Sequence, residues 1–240
     1  MLLEAIMHSD MPDTSDLTYE VDDESFVDIS VFSEGKILVD MQYFIQGRDG
    51  AISTAYLRRG AAERLVKAAL LLPEGYRLKV YDAWRPYEVQ KSLFDEYANS
   101  LAALPENRDK SYGEICDMAR VFVSFPDREK RFSFVHSSGG AVDLTVVGPD
   151  GAELDMGCGF DDFTPIANTD ALEGTEQIDR RDNRRLLYSV MTEVGFTNFP
   201  SEWWHYDFGD IFWAAMTDCD VKYPSVYAIE EMKISSDISA

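Results

Sequence analysis

The chain has 240 residues, of which 45% are apolar and 28% charged, with a net charge of −22. That length suits one well-buried core rather than two full domains. The acidity argues against nucleic acid and anionic membrane as partners, because both require a positive patch.

No window approaches the roughly 18 consecutive apolar residues of a membrane span. The N-terminus, MLLEAIMHSDMPDTSDL, lacks the basic region and continuous apolar run of a signal peptide, so a cytoplasmic location is expected. Residues 9–25 carry seven acidic groups and few apolar ones. They read as a loosely ordered leader spanning residues 1–25. Residues 26–224 form the single domain, and 225–240 read as a tail.

Within the domain, TAYLRRGAAERLVKAALLL spaces Leu57, Ala61, Leu65, Ala68 and Leu72 as one helix face. YRLKVYDAW alternates Leu78, Val80 and Asp82 against Lys79, Tyr81 and Ala83, which predicts a strand. Pro86 suits the first turn of a helix whose inward stripe is Val89, Leu93, Tyr97 and Leu101. AVDLTVV is a second strand, ended by the turn cluster Gly148-Pro149-Asp150-Gly151. DRRDNRRLLYSVMTEVG is a helix with Leu187, Val190, Met191 and Val194 inward and Gly195 as its stop. WWHYDF is a third strand, with Trp204, Tyr206 and Phe208 on one face and His205 and Asp207 on the other. Helices and strands mix without a regular alternation, so the expected class is α+β.

Chemistry concentrates in three places. His136 is one of three histidines, and small residues at 137–141 follow it. Such residues let the backbone approach a ligand closely. Asp143 opens an apolar strand, where an unpaired carboxylate is costly to bury. His205 lies in SEWWHYDF, with Glu202 three residues before it. His136, Asp143 and His205 are the ligand types a catalytic zinc takes, with one position left for water. Glu202 is then placed to take a proton from that water and pass it to a leaving amine. Arg85, at the end of the YDAWRP strand, can stabilise the oxyanion formed at a peptide carbonyl. The three cysteines, Cys116, Cys158 and Cys219, have no CxxC spacing, so neither a disulfide framework nor a thiolate zinc site is expected.

These segments carry a resemblance. HSSGGAVD resembles the His-x-x-Gly-x-Ala-x-Asp motif of the M15 zinc peptidases, EWWHY their second motif, and YDAWRP their arginine segment. Order and spacing are similar to the D-alanyl-D-alanine dipeptidase (VanX-like) branch. VDMQYF, AYLRRGAAERL and MGCGFDDF extend the similarity over roughly residues 26–215. The resemblance implies a compact α+β domain with a small antiparallel sheet, packed helices and zinc in a cleft, the fold shared with Hedgehog domains. It implies one zinc per chain on His136, Asp143 and His205, Glu202 as base and acid, and Arg85 as stabiliser of the tetrahedral intermediate. It places Asp161 by the substrate ammonium, with Asp162 a competing candidate beside it.

One departure bears on substrate. The family has Ser-x-His at the first ligand, where this chain has Phe134-Val135-His136. Phe134 removes a hydrogen-bonding group beside the substrate and adds bulk. The implied partner is a small dipeptide, D-Ala-D-Ala or similar. A D,D-carboxypeptidase or L,D-endopeptidase acting on wall peptides is the enzymatic alternative, and a non-catalytic zinc module of the same fold is the alternative of another class. Retention of Glu202, Arg85 and all three ligand candidates favours catalysis. Another divalent metal is compatible with the same ligands. The sequence does not give the oligomeric state.

Overall fold

The computed structural model describes residues 3–120 and 123–235. At its centre lies β5 (Val142–Val147), whose six residues are all buried. One face of this strand, Val142, Leu144 and Val146, joins a core with Leu65, Leu187 and Val190. The other face starts with Asp143. Asp143 borders a cleft, while Thr145 and Val147 further along the same face are buried.

β5 pairs antiparallel with β4 (Arg77–Asp82) on one side and β7 (His205–Asp207) on the other. β2 (Ile37–Val39) lies parallel to β4 at one edge, and β6 (Thr197–Asn198) closes the other edge antiparallel to β7. The sheet order is β2-β4-β5-β7-β6. The class is α+β, and the small sheet is antiparallel except at its β2 edge. A separate ribbon joins β1 (Phe26–Asp28) to β3 (Tyr56–Arg58). The short helices α1 (Ile29–Phe32) and α2 (Gln42–Ile45) follow β1 and β2. The longer helices are α3 (Arg59–Leu71), α4 (Tyr87–Ala102), α5 (Tyr112–Ala119) and α6 (Ile178–Glu193), with α7 (Ile211–Thr217) after β7.

Three local expectations are corrected. The helix expected from residue 54 begins at Arg59, because Tyr56–Arg58 pair with β1 instead. Leu57 is buried, but in a strand. The buried stripe of α4 is Val89, Gln90, Phe94 and Ala98. Leu93 and Tyr97 line the cleft, and Tyr97 also packs against the cluster of Phe94, Ala98, Ile115 and Ala119. Finally, β4 carries a bulge between Val80 and Asp82. Strict alternation would place Asp82 with Leu78 and Val80 on the core face. The inserted residue flips it to the face of Asp143, the kind of re-aiming that bulges perform beside functional sites.

The terminal segments lie along this body; their ends, residues 1–2 and 236–240, fall outside the described residues. Ile6 is buried, and Tyr19 bridges Val221. Trp84 donates its indole N–H to the Val226 carbonyl at 2.8 Å, and Ser235 N–H reaches the Phe26 carbonyl at 2.9 Å. Among the described residues no helix is long and apolar enough to cross a membrane.

Candidate metal centre and active site

The sheet sets three side chains in a row. Asp82 of β4 stands opposite Asp143 of β5, and Asp143 stands opposite His205 of β7. Residues directly opposite on adjacent strands share a face, so the row needs no loop to assemble it. His136 arrives from the turn Val135–Ser138, which ends on Gly139 in the left-handed conformation, φ 74°. The two glycines are structural here, contrary to the expectation that they admit a ligand. A Cβ on Gly139 would lie 2.2 Å from the Phe26 ring, and one on Gly140 would lie 2.1 Å from the Phe208 carbonyl oxygen. They let the His136 turn close onto β1 and onto Phe208 just after β7, which aims the imidazole at the row.

His136, Asp143 and His205 are buried, and one ligating atom from each lies within 4.8 Å of the others. His136 Nδ1 is 2.7 Å from the Ala83 carbonyl oxygen, an acceptor only, so Nδ1–H donates and Nε2 keeps its lone pair. His205 Nε2 is 2.8 Å from Asp207 Oδ1, so Nε2–H donates there and Nδ1 is the nitrogen that could bind a metal. His136 Nε2 and His205 Nδ1 are 3.2 Å apart, and His205 Nδ1 is 2.9 Å from Asp143 Oδ1. Two imidazole lone pairs and a carboxylate converging on one point repel each other unless a cation sits among them. The donor set therefore fits a zinc ion, and outer hydrogen bonds of this kind orient metal-binding histidines.

The electrostatics agree. Burial pushes the Asp143 carboxyl up, yet the two histidines hold it well below the usual carboxylate range. Burial opposes charge on His205, but Asp207 and Asp143 raise it far above an ordinary histidine, so the site draws positive charge to Nδ1, as a proton that a bound metal ion would displace. Behind them, burial first and Asp207 second push the Asp210 carboxyl well up. Asp210 also caps α7, its Oδ1 accepting from Phe212 and Trp213 N–H at 3.1 Å.

Arg85 is held as a fork. Its Nε donates to Asp82 Oδ2 at 2.7 Å and its Nη1 to Gln90 Oε1 at 2.7 Å. Gln90 is fixed in turn by donating to the Ser124 carbonyl at 2.7 Å. Nη2 then points at Asp143 Oδ2, 3.4 Å away. Burial works against its charge, but Tyr43, Asp82 and Asp143 raise its pKa, so it stays cationic.

Glu202 sits on the turn before β7, with Oε2 3.9 Å from His205 Nδ1 and a side chain 19% exposed. Burial, reinforced by Asp143 and Asp161, pushes its carboxyl up to about 7. Asp161 also lines the cleft and accepts from Tyr43 Oη at 3.3 Å. Its carboxyl is likewise raised to about 7, chiefly by burial. Asp162 caps its own turn, accepting from Thr164 N–H at 3.0 Å, so Asp161 is the acid of this pair that faces the cleft. Phe134 is buried and forms part of the same wall.

The structure thus brings Arg85, Phe134, His136, Asp143, Asp161, Glu202 and His205 into one cleft of about 410 Å³. Sequence reasoning missed Asp82, Gln90 and Tyr43. Asp82 left a signal, an acid three residues before Arg85 in a strand. Gln90 left none, since a glutamine in a helix is ordinarily solvated.

The family model described as D-ala-D-ala dipeptidase, peptidase M15, matches residues 53–227. The D-alanyl-D-alanine dipeptidase of Synechocystis is 31% identical over 192 residues, covering 70% of this chain and 74% of that one. The one from Enterococcus faecium is 34% identical over 149 residues, covering 60% and 69%. That of Escherichia coli is 31% identical over 152 residues, covering 63% and 65%. This chain belongs to the M15 peptidases, a family of zinc-dependent metallopeptidases.

Proposed function

We propose that this protein is a zinc dipeptidase that hydrolyses D-Ala-D-Ala or a similar small dipeptide. The observation that carries this reading is the convergence of His136 Nε2, Asp143 and His205 Nδ1 beside Glu202 and Arg85 in one buried cleft. His136, Asp143 and His205 would hold the ion. Zinc bound there would supply Lewis acidity, lowering the pKa of water and polarising a carbonyl.

The remaining work falls to the chain's own groups. Glu202 Oε accepts the proton of the attacking water and returns it to the leaving amine. A carboxyl raised toward neutrality suits both halves of that task, because it gains and loses the proton at similar cost. Arg85 Nη2 stabilises the negative charge that develops on the scissile carbonyl oxygen, and its fork to Asp82 and Gln90 prevents reorganisation during the step. Asp161, with Tyr43 beside it, receives the substrate ammonium. Ion pairing restores the ionised form that burial disfavours, so a dipeptide with a free amino end is selected over one without. Phe134 places an apolar surface where the family has serine, which biases the site toward apolar side chains.

The test is metal content and activity together. The purified protein should hold one zinc per chain, and His205→Ala should lose both zinc and hydrolysis. A His205→Ala protein with full zinc content would remove His205 from the ligand set.

A further inference from the structure

A dipeptidase must keep longer peptides from threading through its cleft, and the volume of about 410 Å³ is what remains with Met11 and Pro12 among the lining residues. That volume lies near the lower end of the range, roughly 300–1,000 Å³, of sites for drug-sized ligands.

The N-terminal segment lies where that barrier is needed. It is tied down at two places. At the first, Ile6 is buried, its N–H donates to Glu173 Oε1 at 3.1 Å, and His8 Nδ1 meets Asp170 Oδ2 at 2.8 Å. At the second, Val221 N–H donates to the Thr18 carbonyl at 2.8 Å, and the Tyr19 ring packs on Phe132 at 4.7 Å. Asp170 belongs to the stretch that carries Asp161 and Phe163. Phe132 belongs to the stretch that carries Phe134 and His136. The two ties thus lie on stretches that each contribute cleft-lining residues, and residues 9–17 run between them. Met11 and Pro12, in the middle of this run, line the same cleft as His136, Asp143 and His205.

We infer that Met11 and Pro12 are specificity-determining residues: an end wall that confines the cleft to free dipeptides and excludes peptides extended at the amino end. The inference rests on the dipeptidase reading above. A wall peptide ending in D-Ala-D-Ala continues from the nitrogen that Asp161 would otherwise bind as an ammonium. Its next residue must find room in the same cleft, which Met11 and Pro12 also line. Pro12 has a fixed φ and no N–H, so this part of the wall offers the extended chain no backbone donor. Asp10, Asp13 and Asp16 add negative charge to the same segment, which repels anionic peptides but not a zwitterionic dipeptide.

The experiment uses zinc-loaded full-length protein, the double variant Met11→Gly with Pro12→Gly, and a deletion of residues 3–16. The double variant retains both ties, so it tests the wall even if the deletion fails to fold; zinc content and Tm report on folding. Substrates are D-Ala-D-Ala and the tripeptide L-Ala-D-Ala-D-Ala. The tripeptide is also measured as an inhibitor of dipeptide hydrolysis, which reads its entry into the cleft apart from its cleavage. The wall predicts that the double variant lowers the tripeptide inhibition constant at least about tenfold, and raises the ratio of tripeptide to dipeptide kcat/KM by a similar factor. Dipeptide hydrolysis with an unaltered inhibition constant and ratio in the folded double variant would overturn the wall and leave the dipeptidase standing. No dipeptide hydrolysis by the unaltered chain would overturn the dipeptidase reading and the wall with it.

Discussion

Replacing Glu202 with glutamine removes a charge from a place that resists holding one. Burial raises the carboxyl from 4.5 to about 7, with Asp143 and Asp161 adding to the effect and His205 opposing it. Between those two values the folded state binds more protons than the unfolded state. The group's contribution to stability is therefore fully present below the unfolded value and is lost as pH rises through about 7. A shift from 4.5 to about 7, at about 1.4 kcal/mol per unit, amounts to about 3 kcal/mol. Glutamine has the same shape and no ionisation. In the metal-free protein, Glu202→Gln should gain on the parent by about 3 kcal/mol between roughly pH 4.5 and pH 8.5. Urea midpoints in the presence of a chelator, at both pH values, measure this. The same variant, loaded with zinc, should lose at least about a hundredfold in kcat. A stability difference that does not change with pH would refute the burial argument. Near-parental activity would remove Glu202 as the base.

Other consequences follow from the same geometry. Asp207→Asn keeps the ligands but weakens the acceptor that fixes the His205 tautomer, so zinc affinity should fall about 10- to 100-fold by competition with a chromogenic chelator. Gly140→Ala drives a Cβ to 2.1 Å from the Phe208 carbonyl oxygen, and should cost at least about 2 kcal/mol by urea unfolding, a size reserved for steric and core disruptions. Phe134→Ser restores the family's hydroxyl, and should shift kcat/KM among D-Ala-D-Xaa dipeptides away from bulky apolar side chains; an unaltered profile would show that Phe134 does not touch the substrate.

The site was legible where its residues are close in sequence to diagnostic neighbours. His136, Asp143 and His205 stand out because rare histidines and a carboxylate sit in or beside apolar strands, where a cation relieves them, and Glu202 stands out by lying three residues before His205. The alternation in WWHYDF correctly separated His205 and Asp207 from the core residues Trp204, Tyr206 and Phe208. What failed was whatever depends on a partner strand or helix. The β4 bulge that turns Asp82 toward Asp143 exists only through pairing with β5. Tyr56–Arg58 leave the helical pattern because β1 supplies backbone partners. The buried α4 stripe lies one position from the apolar one, since Leu93 and Tyr97 line the cleft while Gln90 is polar for Arg85. Helix α5 does carry a signal in the chain, the capping box of Ser111 and Glu114. Gly139 and Gly140 pack against Phe26 and Phe208, both distant in sequence, so their role does not show in the chain alone.

The most direct test of the account is D-alanine release from D-Ala-D-Ala by the zinc-loaded protein, with and without a chelator. The account predicts release that the chelator abolishes and added zinc restores. A protein that holds its zinc on His136, Asp143 and His205 yet releases no D-alanine would contradict it.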